Sequence, residues 1–303
     1  MSIRVKSMIS ASIVGDFSVS AREFITSHIE MVRHPEMAAL GASSIVTRKL
    51  RDRLCGDGKI FVDVGAHIGA VINGAARHGN PQKIIAIEAM PDKAARLRAR
   101  FPVAEIHHCA LGPADSEVEF TIDLAHSGYS SLDPAVRGRT DKFRVITVPM
   151  KTLDQVLDGR SPDFIKIDVE GAELGVLRGG SVSIEAARPT IMFESGAHEM
   201  AGYSKEAMFH WFSERGYDLV LPIRLAHNAP PATLDVFLDA HEFPRRSLDW
   251  FAVARADGNS QSGARYSWSG GLVPAASSPG RLMAANVQNG WLINLLPHQP
   301  NRA

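Results

Sequence analysis

One run constrains this chain more than any other: Lys59-Ile60-Phe61-Val62-Asp63-Val64-Gly65-Ala66-His67-Ile68-Gly69. Residues 60–64 form an apolar run with an acid, Asp63, near its end, and the run breaks into a glycine-spaced turn. Residues 68–77, small and apolar, predict a packed helix. Strand, glycine turn and helix in that order open an α/β sheet of the nucleotide-binding kind. Gly65, without a Cβ, allows the sharp turn and leaves room for a ligand, and Gly69 permits close packing of helix on strand. The spacing G-x-x-x-G is neither the G-x-G-x-x-G of dinucleotide enzymes nor the G-x-x-x-x-G-K-[ST] that cradles a triphosphate.

The acids narrow the ligand. Asp63 stands where a pyrophosphate would approach the helix N-terminus, and a carboxylate there repels phosphate but welcomes an ammonium group. A second apolar run, residues 83–88, ends in Glu88, roughly twenty residues beyond the turn, where the ribose-binding acid of such sheets is expected. One acid for an amino-acid end and one for a ribose fit S-adenosylmethionine better than NAD. A capping or loop role for Asp63 and an ordinary strand-end role for Glu88 are the plain alternatives.

Composition closes off other classes. With 33 basic and 33 acidic residues the formal net charge is zero, so no basic face argues for nucleic acid. The 303 residues suffice for one large domain or two small ones. Cys55 and Cys109 are far apart, lack metal-ligand spacing and point to a reducing compartment. No run reaches the length of a membrane span, and the stretch after Arg4 and Lys6 is too short and serine-rich for a signal sequence. The expectation is a cytoplasmic protein without stable membrane insertion and without a nucleic-acid partner; no spacing signature demands a metal, although Asp168, Glu194 and a histidine could offer ligands to Mg²⁺.

Along the chain, residues 21–34 predict an amphipathic helix ended by Pro35, and residues 43–54 a second, basic helix. Together they read as a lid or brace ahead of the sheet. Residues 91–101 predict a helix with Pro91 in its first turn, 103–107 a third strand, and 117–123 and 143–148 two added strands. Thr152 caps a short helix over 152–157, and residues 163–168 are the fourth core strand. A helix to about Leu177 follows, closed by Gly179 and Gly180, and then a fifth strand over 189–194. A helix over 204–215, capped by Ser204, and strands over 217–221 and 249–254 complete the sheet. Residues 222–247 read as a long Pro-containing excursion of a kind that is often functional. From Asp257 the composition turns to Gly, Ser, Asn and Pro and predicts a flexible tail, with one apolar segment at 291–296. The expected domains are a helical extension over 1–57, the sheet domain over 58–255 and the tail over 256–303. Alternating strands and helices imply a parallel sheet, whose ligands sit at the carboxyl ends of the strands, where Asp63, Glu88 and Cys109 fall.

Six motifs in order then resemble one family: the turn from Asp63 to Gly69, Glu88-Ala89-Met90-Pro91, Ala110-Leu111-Gly112, Ser127-Gly128-Tyr129-Ser130-Ser131-Leu132, Thr152-Leu153-Asp154, and Phe164-Ile165-Lys166-Ile167-Asp168-Val169-Glu170-Gly171-Ala172-Glu173. They are similar to those of the FkbM-type methyltransferases over residues 60–195. The resemblance implies a class I methyltransferase (Rossmann-like) α/β fold: a mostly parallel seven-stranded sheet with helices on both faces and its last strand antiparallel. It also implies S-adenosylmethionine as cofactor, and an acceptor hydroxyl on a sugar, glycolipid or other natural product.

Methyl transfer to a hydroxyl needs alignment and a base, because a protonated alcohol is a poor nucleophile. Asp168, at the end of the fourth strand, is the candidate base or acceptor-orienting group; stabilising the sulfonium is its alternative. Glu170 matches the family's hallmark acid, and His67 in the turn offers an imidazole to the cofactor's carboxylate or as base. With Asp63, Gly65, Gly69 and Glu88, the residues Ala89, Cys109, Ala110 and Ser130 are expected at the cofactor. Ser131, Glu194, His126 and His198 are weaker candidates for the acceptor side. Lys166 within an apolar strand predicts a buried ion pair, and Glu173 a favourable charge at a helix start. Two rival readings stay open: an NAD-dependent oxidoreductase, against which the G-x-x-x-G spacing and Asp63 count, and a cofactor-binding module without turnover.

Overall fold

All seven runs read as core strands lie in one sheet. The computed structural model describes residues 33–78, 82–125, 128, 130–133, 137–138, 142–196 and 203–255. The sheet comprises β1 (Ile60–Val64), β2 (Lys83–Glu88), β3 (Glu105–His108), β7 (Phe164–Ile167), β8 (Thr190–Glu194), β9 (Tyr217–Val220) and β10 (Asp249–Ala254). Its order is β3-β2-β1-β7-β8-β10-β9, parallel except for β10, which runs antiparallel to both neighbours. Every residue of β7 is buried, and so are Phe61 to Val64 of β1. Strands without an exposed face must be covered on both sides, which is why these central runs are continuously apolar rather than alternating.

Two strands at the flank make a hairpin outside that sheet. β5 (Ser116–Asp123) and β6 (Phe143–Lys151) pair antiparallel over their whole common length, and β4 (Ala110–Leu111) adds to β6 in parallel. Sequence reading found β5 and β6 but neither β4, which is two residues long, nor the separate three-stranded sheet. Met90, Ala110, Phe120, Ile122 and Val148 form the apolar cluster beneath it.

The helices are α1 (Ala38–Leu54), α2 (Ala70–His78), α3 (Pro91–Arg100), α4 (Leu153–Leu157), α5 (Glu173–Gly179), α6 (Ser181–Ala187), α7 (Lys205–Glu214), α8 (Pro222–Ala226) and α9 (Leu234–Asp239). Thr152 and Gln155 make a full capping box on α4, and the Ser204 side chain accepts from the Ala207 amide at α7, as their sequences predict. α1 begins five residues before the expected Ser43 and buries Ser43, Thr47, Leu50 and Leu54, one face at helical spacing. That face packs on α8 and β10, with Ser43 donating to Ser247 at 2.6 Å, so this helix is a brace.

Three expectations need correction. The single helix after β7 is two, because α6 follows Gly180 and buries only Ile184, too few apolar positions to show a period. The excursion 222–247, for which the sequence predicts no element, carries α8 and α9, and Phe237, Ala240 and His241 are buried in it. Helices of five or six residues are too short for periodicity to register. Gly69 packs against α3, not against a strand. The expected helix over 21–34, except its last two residues, and the tail with its 291–296 segment lie outside the described residues.

Candidate functional site

A cavity of about 160 Å³, partly open to solvent, lies at the carboxyl ends of β1, β2 and β7 and under the β4–β5–β6 sheet. Gly65, His67, Glu88, Ala89, Cys109, Ala110, Ser130, Asp168 and Glu170 all line it. Asp63 and Gly69, the other two expected members, do not.

The turn after β1 is strapped to β2, because the amides of Gly65 and Ala66 both donate to the Ile87 carbonyl at 3.0 Å. Gly65 has φ +79°, and a Cβ there would collide with the Asp168 carbonyl oxygen. The space that glycine vacates is taken by the backbone leaving β7, not by a ligand as its sequence suggests. Gly69, at φ +80°, is pressed on Phe101 and Leu97, which fixes α2 against α3.

Asp63 is completely buried below this turn. Lys166, itself only 4% exposed, puts its Nζ 3.2 Å from Asp63 and 3.3 Å from Asp168, and donates to the Gly65 carbonyl at 2.8 Å. Burial opposes the lysine's charge, but Asp168 and Asp63 outweigh it and hold the ammonium above the ordinary lysine range. For Asp63 burial dominates and raises its pKa, with Lys166 pulling the other way. The buried ion pair expected of Lys166 is present, and it ties β1 and β7 together where the cavity begins.

Glu88 is 6% exposed and uses both oxygens: Oε2 accepts from the His67 amide and Oε1 from the Met90 amide, each at 2.8 Å. Burial raises its pKa against those two bonds. Each oxygen keeps a second lone pair, so the carboxylate can also accept from hydroxyls in the cavity. His67 takes the left-handed conformation, φ 52°. Burial first, then Lys93 and Lys166, push its imidazole down to about 4, so it stands neutral at pH 7 rather than titrating near neutrality.

Beyond β7 the backbone turns through Glu170 at φ 53°. The loop is pinned from two sides. Ser131 donates to the Glu170 carbonyl at 2.7 Å, and Glu173 accepts from the amides of Val169 and Gly171 at 3.1 and 3.0 Å and from the Tyr203 hydroxyl at 2.8 Å. The Glu173 carboxylate, expected to serve the helix dipole, is thus buried and occupied by loop donors as well. Ser131 is fully buried and spends its hydroxyl on this loop, whereas Ser130 reaches the cavity wall.

Carboxyl oxygens of Asp168, Glu170 and Glu194 lie within 4.8 Å of one another. Glu194 closes β8, and its register partner on β10 is Asp249. Although burial works against it, Lys166 holds Asp168 below the usual carboxylate range. Burial and then Asp168 push Glu194 up to about 10. Burial and Asp168 likewise push Asp249 up to about 6. His126 and His198 lie outside the described residues.

Sequence reading missed Lys93, which is buried on the cavity wall near Glu88. Its signal was the spacing to Leu97, four residues on and on the buried face of α3. It also missed Phe120 and Leu132, brought over the cavity from the flanking sheet and its following loop, which no local pattern reveals.

Sheet order and site together define a class I methyltransferase fold, with the antiparallel β10 inserted between β8 and β9. The sequence matches the Methyltransferase FkbM domain over residues 63–219, just over half of the chain, and the protein belongs to that family. Among solved structures, methyltransferase FkbM from Methylobacillus flagellatus KT is 18% identical with a TM-score of 0.42, over 65% of this chain and 44% of that one. The chain therefore spans less than half the length of that relative. Precorrin-6y C5,15-methyltransferase from Geobacter metallireducens GS-15 is 12% identical (TM-score 0.35; 57% and 71% of the two chains). A TehB-like SAM-dependent methyltransferase from Corynebacterium glutamicum ATCC 13032 is 11% identical (TM-score 0.35; 68% and 87%). No curated protein sequence matches the chain. Among the described residues no helix is long and apolar enough to cross a membrane.

Proposed function

We propose that the protein is a cytoplasmic S-adenosylmethionine-dependent O-methyltransferase acting on a hydroxyl of a sugar, glycolipid or other small metabolite. One observation carries this reading: Glu88 and Asp168 face a single cavity from the ends of β2 and β7, with an apolar wall of Ala89, Met90, Ala110, Phe120 and Leu132. That set suits the cofactor's chemistry. Glu88 accepts from ribose hydroxyls, the apolar wall takes a flat base, and Asp168 favours the cationic end. Bound there, the cofactor supplies a methyl group already activated on a sulfonium. The remaining work is positioning, water exclusion and removal of the acceptor's proton, for which the ionised Asp168 is the base. Neutral His67 is suited to hydrogen-bonding the amino-acid end rather than to taking that proton.

Asp63 acts at one remove in this proposal, by fixing Lys166 and through it the charge on Asp168. Cys109 serves as a packed wall, since burial pushes its thiol up to about 11 and leaves no thiolate at pH 7.

Titration calorimetry with S-adenosylhomocysteine, with NAD as control, tests the reading. Micromolar binding that Glu88→Ala removes is the expected result, followed by acceptor screening with labelled donor. Binding of NAD in its place, or of neither, would overturn it. Asp168→Asn separates an enzyme from a module without turnover, because only an enzyme loses methylation.

A further inference from the structure

We infer that Glu194 holds a proton which it shares with Asp168, so that a carboxyl–carboxylate pair, not a lone aspartate, forms the acid–base unit beside the cavity. The inference rests on the methyltransferase reading for its catalytic meaning but on geometry for its existence.

Charge counting comes first. Lys166 supplies one positive charge to two carboxylates, Asp63 at 3.2 Å and Asp168 at 3.3 Å, which leaves that group net negative. Glu194 and Glu170 then bring carboxyl oxygens within 4.8 Å of Asp168 and of each other. Glu173 approaches from the start of α5 and Asp249 from β10, while Thr47 and Arg51 of α1 face Asp249. Among the described residues no cation is in ion-pair contact with Glu194. Like charges this close in a half-buried place do not all ionise, and of Asp168 and Glu194 the one without a cation in contact keeps the proton. Asp168 has the lysine, so Glu194 is protonated and donates to Asp168.

The Ser195–His241 contact steadies this end of β8. The Phe237 carbonyl can only accept, so Nδ1 of His241 donates to it at 2.6 Å, and Nε2 accepts from the Ser195 hydroxyl at 2.8 Å. His241 also lies nearly parallel to Trp250, with an interplanar angle of 13°. The residue next to Glu194 is thereby fixed.

The consequence for the reaction is positional. With one Asp168 oxygen engaged by Lys166 and its carboxylate steadied by Glu194, the remaining acceptor capacity is directed at the incoming hydroxyl. In the transfer, the acceptor's O–H bond breaks as its O–CH3 bond forms. The S–CH3 bond breaks with its electron pair returning to sulfur, and the proton ends on Asp168. Glu194 keeps its own proton throughout and is a positioning residue.

The test is a pH titration of the full-length protein labelled with ¹³C at glutamate and aspartate carboxyls, read by NMR, with Glu194 assigned through Glu194→Gln. The expected result is one glutamate resonance that stays protonated at pH 7, absent in Glu194→Gln. In Asp168→Asn that resonance titrates closer to the ordinary glutamate range, and this second variant supplies the assignment if the first does not fold. A Glu194 carboxyl that titrates in the ordinary range in the wild type would overturn the inference. So would its deprotonation on addition of Mg²⁺ alone at pH 7, which would show a cation, not a proton, balancing the cluster. Failure of S-adenosylhomocysteine to bind would sink the functional reading without moving this resonance, so the two failures are distinguishable. Once an acceptor is known, Glu194→Gln should keep methylation within about threefold at neutral pH while Glu194→Ala loses about tenfold or more.

Discussion

At the ends of β1 and β2 the acids are held by fixed donors: Glu88 takes two backbone amides at 2.8 Å, and Asp63 lies 3.2 Å from the ammonium of Lys166, which it shares with Asp168. At the ends of β7, β8 and β10, Asp168, Glu170, Glu194 and Asp249 gather, and among the described residues only Asp168 is within ion-pair distance of that lysine. In the first half the acids are held by fixed donors before any ligand arrives, and they work as fixed acceptors. In the second half Asp168 has the lysine and Glu194 the inferred proton. A binding cradle needs the first kind of order; proton transfer needs the second.

The hardest way to break this arrangement is at the turn that both halves share. Gly65→Val places a side chain into the Asp168 carbonyl at a φ of +79°, and backbone strain plus overpacking should cost about 3–5 kcal/mol in urea denaturation. A midpoint near that of the wild type would show that the turn relaxes instead.

Lys166→Met leaves Asp63 and Asp168 without their cation and should cost about 3–4 kcal/mol, the penalty of breaking a buried pair from one side. Adding Asp63→Asn should restore part of that loss. A double variant as unstable as the sum of the two single ones would mean that Lys166 does not couple the halves.

Glu88→Ala strands the amides of His67 and Met90 and should cost about 2 kcal/mol, with S-adenosylhomocysteine affinity falling by at least about tenfold. Stability lost with affinity unchanged would confine Glu88 to scaffolding.

The pH dependence of stability has an acid limb, set by buried histidines, and an alkaline limb to which Glu194 contributes. His67 titrates at about 4 when folded against 6.5 when unfolded, so its contribution is present above pH 6.5 and is lost as pH falls toward 4. His241, also lowered to about 4 chiefly by burial, adds to that acid limb. Glu194 titrates at about 10 when folded against 4.5 when unfolded. Its proton therefore stabilises the fold most below pH 4.5, and that contribution is lost as pH rises through 10. Urea midpoints across the range should fall at both ends, and Glu194→Gln should flatten only the alkaline limb.

The smallest effect is expected at Ser131→Ala, about 1 kcal/mol, from the bond to the Glu170 carbonyl and the one accepted from the Asp133 amide.

The sequence by itself determined the seven strands of the sheet and nine of the residues that line the cavity. Short continuous apolar runs ending in acids and bounded by turn residues fit strands covered on both faces, and the turn from Asp63 to Gly69 fixes where the sheet opens. Tertiary structure decided what those residues face. Asp63 and Asp168 carry the same group on strands paired side by side, yet one is sealed beneath the turn and the other opens to the cavity. Gly65 looked like room for a ligand and is room for a neighbouring strand. Phe120 at the cavity and the approach of Asp168 to Glu194 depend on other elements and have no local pattern. Local pattern fixes which element a residue belongs to, whereas burial and neighbouring charge, which set its chemistry, arise only when distant segments pack together.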